Sequence, residues 1–264
     1  MTLLEVKGLT KRYGDVLALT DLTVSVDEGA CLVLLGRNGA GKTTALRCMA
    51  GVLAPTAGSV RVDGIDAATE PAAVRERVGL MPELPGLYER MSARTYLDYF
   101  GSIYDLPPQT RTRRIESLLE LFELKDAADR WLGSYSKGMR QKVALIRATL
   151  HRPRLILADE PTSALDPDSA RRAWVYLKDL QKDGCALVIC THSMEEAENL
   201  SGEIGIMSAG RALAVGDLSE LRRKSGLPTR REVRELPTLQ DIYLAIVGNH
   251  RDQHERELAE SRSA

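Results

Sequence analysis

Long hydrophobic runs are missing from this chain: no stretch approaches the roughly 18 consecutive apolar residues that a membrane-spanning helix needs. Any role at a membrane is therefore expected to come through a partner. A charge surplus is missing too, since 36 lysines and arginines face 37 aspartates and glutamates. The resulting net charge of −1 leaves no basic footprint for nucleic acid or an anionic bilayer. Cysteine is scarce: Cys31, Cys48, Cys185 and Cys190 lie in or beside apolar stretches without metal-ligand spacing, which excludes a disulfide framework or zinc site and fits reduced thiols in a cytosolic protein. The opening MTLLEVKGLTKRYG has neither a basic start nor an apolar run, so no signal peptide is expected. With 264 residues, 44% of them hydrophobic, the chain is long enough to bury a full core.

What is present reads as an α/β chain. LLEVKG, ALTDLTVSV and ACLVLLG are short strand-like runs between turns, and the last is apolar throughout, as for a strand buried on both faces. A helix is expected near residues 42–52, then a hairpin at GSVRVDGI and a strand at RVGLMPE. Residues 92–150 read mainly as helices, broken at LPPQT. Strand signals return in RLILADE and CALVICTH, around a helix that Asp166 caps, Pro167 opens and Gly184 closes. That strand–helix–strand rhythm predicts a parallel sheet with a helical insertion. Composition shifts near residue 219, where charge becomes dense; one short helix, TLQDIYLAIVG, carries a stripe of Leu239, Ile242 and Ile246, and residues 249–264 are polar enough to be expected disordered.

The segment GRNGAGKTT satisfies the strand, G-x-x-x-x-G-K-[ST], helix pattern of a phosphate-binding loop. Gly36, Asn38, Gly39, Ala40, Gly41, Lys42, Thr43 and Thr44 are the expected nucleotide contacts, with the glycines freeing backbone N–H groups to curl around phosphates. Lys42 is placed to reach the β and γ oxygens, and the Thr43 hydroxyl to ligate Mg²⁺. In RLILADE, Asp159 would hold the metal through water while its neighbour Glu160 polarises the water that attacks the γ-phosphate. His192 ends the next parallel strand, at the sheet edge where α/β ligand sites lie. A structural histidine there is the plainer alternative. Ser193 and Glu196 behind it form a capping-box pattern. A second candidate anion site is GSYSKGMRQK, where Ser136 is placed to cap a helix with Val143, Ile146 and Leu150 on one face. A capped surface helix accounts for that stretch taken alone.

Together these residues resemble the ATP-binding cassette (ABC) family of transport ATPases over almost all of residues 3–217. The resemblance rests on five ordered elements: the Walker A loop at residues 36–43, the signature motif at YSKGM, the Walker B strand at residues 155–160, the D-loop at SALD and the switch histidine at His192. It implies a P-loop NTPase core with a mainly parallel sheet, an N-terminal antiparallel β subdomain and an inserted helical subdomain at about 84–150. On that division residues 1–218 form the cassette and 219–264 a C-terminal extension. It also implies two cassettes packed head to tail, so that Ser136 and Gly138 face the ATP held by the other chain; Glu160, His192 and Lys42 act in hydrolysis; and Tyr13 stacks on adenine, unless it is an ordinary loop tyrosine.

Two departures stand out. The usual Leu-Ser-Gly-Gly-Gln signature reads Tyr135, Ser136, Lys137, Gly138, Met139 here. Glu83 replaces a common glutamine as a metal-sensing residue; its carboxylate offers oxygen to Mg²⁺ but donates no hydrogen bond. With the PGLYERMSAR run and the tail helix, these features resemble the exporter branch that pairs with six-helix membrane subunits. Tyr88, Tyr96, Tyr99 and Tyr104, with Phe100 among them, suit an interface with such a subunit near residues 84–104, although Tyr96, Phe100 and Ile103 equally fit a helical core face. The implied protein is an ATP-hydrolysing, Mg²⁺-dependent exporter subunit, peripheral on the cytoplasmic face of the membrane, with no nucleic-acid partner. Rival readings are an importer ATPase, many of which carry a long regulatory domain, and a soluble ABC ATPase acting on DNA or ribosomes, whose coiled coils, zinc modules or fused second cassette this sequence does not contain.

Overall fold

Two long strands, β1 (Thr2–Tyr13) and β2 (Val16–Asp27), alternate buried and exposed positions and pair antiparallel. Such alternation belongs to a sheet with one face on a core. The third strand, β3 (Cys31–Gly36), is buried at every residue, as its unbroken apolar sequence predicts. It runs into the glycine loop and α1 (Lys42–Met49). Next come β4 (Ala57–Val62), β5 (Ile65–Asp66), α2 (Pro71–Arg77) and β6 (Val78–Met81). The helical insertion holds α3 (Ala93–Ile103), α4 (Pro108–Leu121) and α5 (Lys137–Thr149). Pro108 opens α4 at a position that needs no N–H, which is why LPPQT separates the helices. The chain returns through β7 (Leu155–Asp159), α6 (Pro167–Lys182), β8 (Ala186–Thr191), α7 (Met194–Asn199), β9 (Glu203–Ser208), β10 (Arg211–Gly216) and α8 (Leu218–Ser225). The computed structural model describes residues 1–200, 202–227, 237–239, 242, 243, 245 and 246.

Two sheets result. The smaller, ordered β2-β1-β4-β5, is antiparallel. The larger runs β10-β9-β3-β8-β7-β6, parallel apart from the β9–β10 edge. Its period of two sorts side chains onto two cores: Leu32, Leu34, Leu155, Leu157 and Val188 join the antiparallel sheet and α1, whereas Val33, Leu35, Ile156, Leu187 and Ile189 join the helical side. Each fully buried Leu or Val contributes on the order of 1.5–3 kcal/mol. Val143, Ile146 and Leu150 are fully buried, so the apolar stripe of α5 faces the core as expected. The four thiols are free and buried, and desolvation pushes Cys31 and Cys185 up to about 12, which keeps them protonated and unreactive.

Leu239, Ile242 and Tyr243 are helical and pack into the helical-side core, with Ile246 against it. The expected disorder of residues 249–264 falls outside the described residues. No helix among the described residues is long and apolar enough to cross a membrane.

Candidate functional site

Sequence places the phosphate loop between a rigid strand and a helix, and backbone geometry explains its glycines. Gly41 has φ +98° and a Cβ there would stand 2.7 Å from the Ala18 carbonyl, so only glycine fits. A Cβ on Gly36 would lie 2.5 Å from the Met207 carbonyl. Gly41 caps α1 without a side chain, which leaves the first N–H groups of the helix aimed out of the loop. Lys42 is 6% exposed, and its Nζ donates to the carbonyls of Gly36 at 2.5 Å and Arg37 at 3.3 Å. The ammonium is thus held across the loop mouth.

At the end of β7, Asp159 accepts a 2.5 Å hydrogen bond from the Thr43 hydroxyl, joining residues 116 positions apart. Burial holds the Asp159 carboxyl above its usual range; Thr43 and Lys42 pull it back down, while Glu83 and Glu160 push it up. Asp159 therefore feels two further carboxylates and one buried ammonium. The donors are hard oxygens, from a hydroxyl and carboxylates, and the local charge is in deficit of cations, so the residues fit Mg²⁺. Glu83 itself is exposed, on the segment leaving β6.

Glu160 follows in a left-handed backbone conformation, φ 52°, uncommon for a residue with a side chain. Its N–H donates to the Cys190 carbonyl at 2.9 Å, and its own carbonyl accepts from Gln141 Nε2, also at 2.9 Å. Both neighbours are buried, and together they hold the strained turn that sets the buried carboxylate against His192. One carboxylate oxygen lies 2.7 Å from His192 Nδ1. His192 stands just beyond β8, the strand beside β7, so sheet topology delivers the pair. Arg37, Asn38, Gly39 and His192 also line one cavity of about 600 Å³, whose wall includes Tyr243. Lys42, Thr43, Asp159, Glu160 and His192 are thereby brought together at one sheet edge.

Ser136 and Gly138 lie elsewhere. Ser136 caps α5 by accepting from the Met139 N–H at 3.2 Å, and it is exposed to solvent. Among the described residues neither makes a hydrogen bond to its own phosphate loop. Gly138 packs on the loop at 163–166, where a Cβ would approach the Ala164 carbonyl to 2.8 Å. Met139, in place of the usual glutamine, packs against the helical-side core. Tyr13 is exposed at the end of β1, with Lys11 Nζ 5.4 Å from its ring centre.

In the aromatic segment the alternatives divide residue by residue. Tyr96 is fully buried and its hydroxyl accepts from Arg147 at 2.7 Å, a core role. Ile103, which also fitted a core face, is exposed, as are Tyr88 and Tyr99. A 180 Å³ groove is lined by Val52, Leu80, Phe100 and Tyr104, and the Phe100 ring meets those of Tyr88 and Tyr99.

Gln141, Thr162, Thr191 and Glu196 were not anticipated as site residues. The signal for Gln141 was available: a polar residue on the buried face of an amphipathic helix is out of place unless something needs its hydrogen bonds.

Comparison with known proteins gives the family. The ABC transporter family matches residues 19–163. The chain is 38% identical to the ABC transporter ATP-binding protein NatA of Bacillus subtilis, over 80% of this chain and 88% of that one. It is 36% identical to the daunorubicin resistance ATP-binding protein DrrA3 of Streptomyces coeruleorubidus (85% and 71% covered). Against the Nod factor export ATP-binding protein I of Ralstonia nicotianae identity is 37% (83% and 68% covered). A solved ATP-binding subunit of an ABC transporter superposes with a TM-score of 0.85 at 32% identity, covering 93% of this chain and 99% of its own. A cassette solved as a dimer in a post-hydrolysis state with ADP and phosphate gives 0.76 at 26% identity, covering 82% and 99%. The anion-binding loop, the acids at the neighbouring strand ends and these relatives converge, and the chain belongs to the ABC transporter family as an ATP-binding, ATP-hydrolysing subunit.

Proposed function

We propose that this ATPase drives export, through a membrane partner, by ATP-dependent pairing of two cassettes. The observation that carries the hydrolytic reading is the contact between Glu160 and His192 at 2.7 Å beside the phosphate loop. Glu160 is the general base for the attacking water, His192 orients it and meets the γ-phosphate, and Lys42 neutralises β and γ oxygens. Thr43, Asp159 and Glu83 would hold Mg²⁺, whose charge, when bound, offsets that of the phosphates. Backbone groups of residues 36–44 bind the phosphates and Tyr13 stacks on the base.

Pairing explains a helix N-terminus, capped by Ser136, that faces solvent away from its own phosphate loop. Related cassettes solved as dimers support it. Export is supported by relatives named for drug resistance and Nod factor export. The exposed Tyr88, Tyr99 and Ile103 beside the 180 Å³ groove suit a short helix of a membrane subunit on the cytoplasmic face. On this reading residues 1–218 are the motor and 219–264 an extension.

Glu160→Gln tests the core of the proposal. The amide keeps the shape and loses the basicity, so turnover should fall about 100- to 10,000-fold with ATP affinity retained. ATP-loaded protein should then accumulate as a dimer in size-exclusion chromatography. Turnover at the unmutated rate removes Glu160 as base. Export predicts ATP-driven substrate uptake by inside-out membrane vesicles holding the whole transporter; uptake only by right-side-out vesicles makes it an importer.

A further inference from the structure

Glu196 sits at the third position of α7, where a capping box would turn its carboxylate back onto the N–H of Ser193. Only half of that box forms. Ser193 Oγ accepts from the Glu196 N–H at 3.3 Å, but the Ser193 N–H donates to Thr191 Oγ1 at 3.0 Å instead. The Glu196 carboxylate is diverted inward. One oxygen accepts from the Thr162 hydroxyl and the other from Thr191 Oγ1 at 2.6 Å. Thr162 and Thr191 are both buried and Glu196 is half-buried, so the protein shields these bonds in part from water.

The two threonines belong to different parts of the catalytic edge. Thr191 is the last residue of β8, directly before His192, and its Oγ1 stands 3.5 Å from Glu160 Oε2. A hydroxyl has one proton to give, and the 2.6 Å bond to Glu196 takes it, which fixes the threonine rotamer beside the base. Thr162 is two residues past Glu160 and opens the loop at 163–166 that packs under Gly138. Glu196 therefore ties the loop touching the signature helix to the strand end carrying the switch histidine.

We propose that Glu196 is a positioning residue for hydrolysis: its carboxylate clamps Thr162 to Thr191 and so couples the loop at 163–166 to the geometry of Glu160 and His192. This rests on Glu160 being the base. A loop displaced at Gly138 pulls on Thr162, shifts Glu196 and releases Thr191, so the base loses its setting without losing any group that touches ATP.

The test is steady-state ATPase kinetics on the full-length chain, with ATP affinity and melting temperature measured alongside. Glu196→Ala should lower kcat up to about 100-fold, the scale of an ångström-level misplacement, with ATP affinity and melting temperature close to unmutated values. Thr162→Val should lose rate in the same way, and Thr162→Ser, which restores the hydroxyl, should recover it. Because the two residues act through one clamp, the double variant Glu196→Ala/Thr162→Val should be no slower than the worse single. Unmutated turnover in Glu196→Ala overturns the proposal, as does a rate loss matched by a loss of ATP affinity or folding, or strict additivity in the double variant. Glu160→Gln assayed in parallel separates the failures: normal turnover there removes the base assignment, while an inactive Glu160→Gln beside a normal Glu196→Ala removes only the clamp.

Discussion

Lys42 donates to two backbone carbonyls of the loop and offsets the charge of Asp159, so the contribution proposed for it in nucleotide binding is electrostatic. Lys42→Ala should weaken ATP binding by about 1.5–3 kcal/mol, the scale of a hydrogen bond to a charged group, measured by calorimetry. Unchanged affinity would count against the phosphate-loop assignment. If only the ring face of Tyr13 meets the base, Tyr13→Ala should cost about 1 kcal/mol, equal for ATP and GTP. A larger loss for one base would mean that hydrogen bonds to the base edge, and not stacking alone, are read. The placement of Lys42, Thr43, Asp159 and Glu160 was legible because each residue type falls at a strand end or a helix start. Glu196 was legible only as a cap. Its carboxylate finds Thr162 and Thr191 because α7 folds back over β8, and a local pattern holds no information about that packing.

Elements were legible wherever one face is buried. The period of two in β1 and β2, the unbroken apolar run of β3 and the stripe on α5 each follow from which side meets a core. The aromatic segment resisted such reading because α3 packs Tyr96 inward and leaves Tyr99 and Ile103 outside, while the rings of Tyr88, Tyr96 and Phe100 touch across that boundary. The seam between α3 and the turn after α5 contains a titratable group. His151 stacks on Tyr104 with centroids 3.7 Å apart and planes 3° from parallel, and burial lowers its pKa to about 4. A histidine kept neutral in the fold contributes stability that is full above its unfolded value of 6.5 and is lost as pH falls through 4. Stability against urea should therefore fall below pH 6.5, with a share from this residue of up to about 1.4 kcal/mol per pH unit. His151→Phe keeps a ring on Tyr104 and cannot be protonated, so its stability should fall less steeply over the same range. Equal slopes in the two proteins would place the acid sensitivity elsewhere.

At the scale of the whole molecule, the proposed pairing makes the phosphate loop and the Ser136 helix parts of different sites. Pairing predicts that a working site takes Lys42 from one chain and Ser136 from the other. Ser136→Arg fills the exposed helix N-terminus with a bulky cation and should block closure while leaving ATP binding by the single chain nearly normal. Loss of the cap itself costs only about 1 kcal/mol, so the variant should still fold. Lys42→Ala damages the opposite half. Each variant alone yields pairs in which both composite sites are broken, but a mixed pair has one site built from an intact loop and an intact Ser136, and one site damaged twice. Random association makes half of the pairs mixed in an equal mixture. In a Glu160→Gln background, which prevents turnover from dispersing closed pairs, ATP-dependent dimer should therefore reappear on mixing and be absent from each variant by itself. A mixture that closes no better than its components, with both still folded, would leave α5 as a capped structural helix.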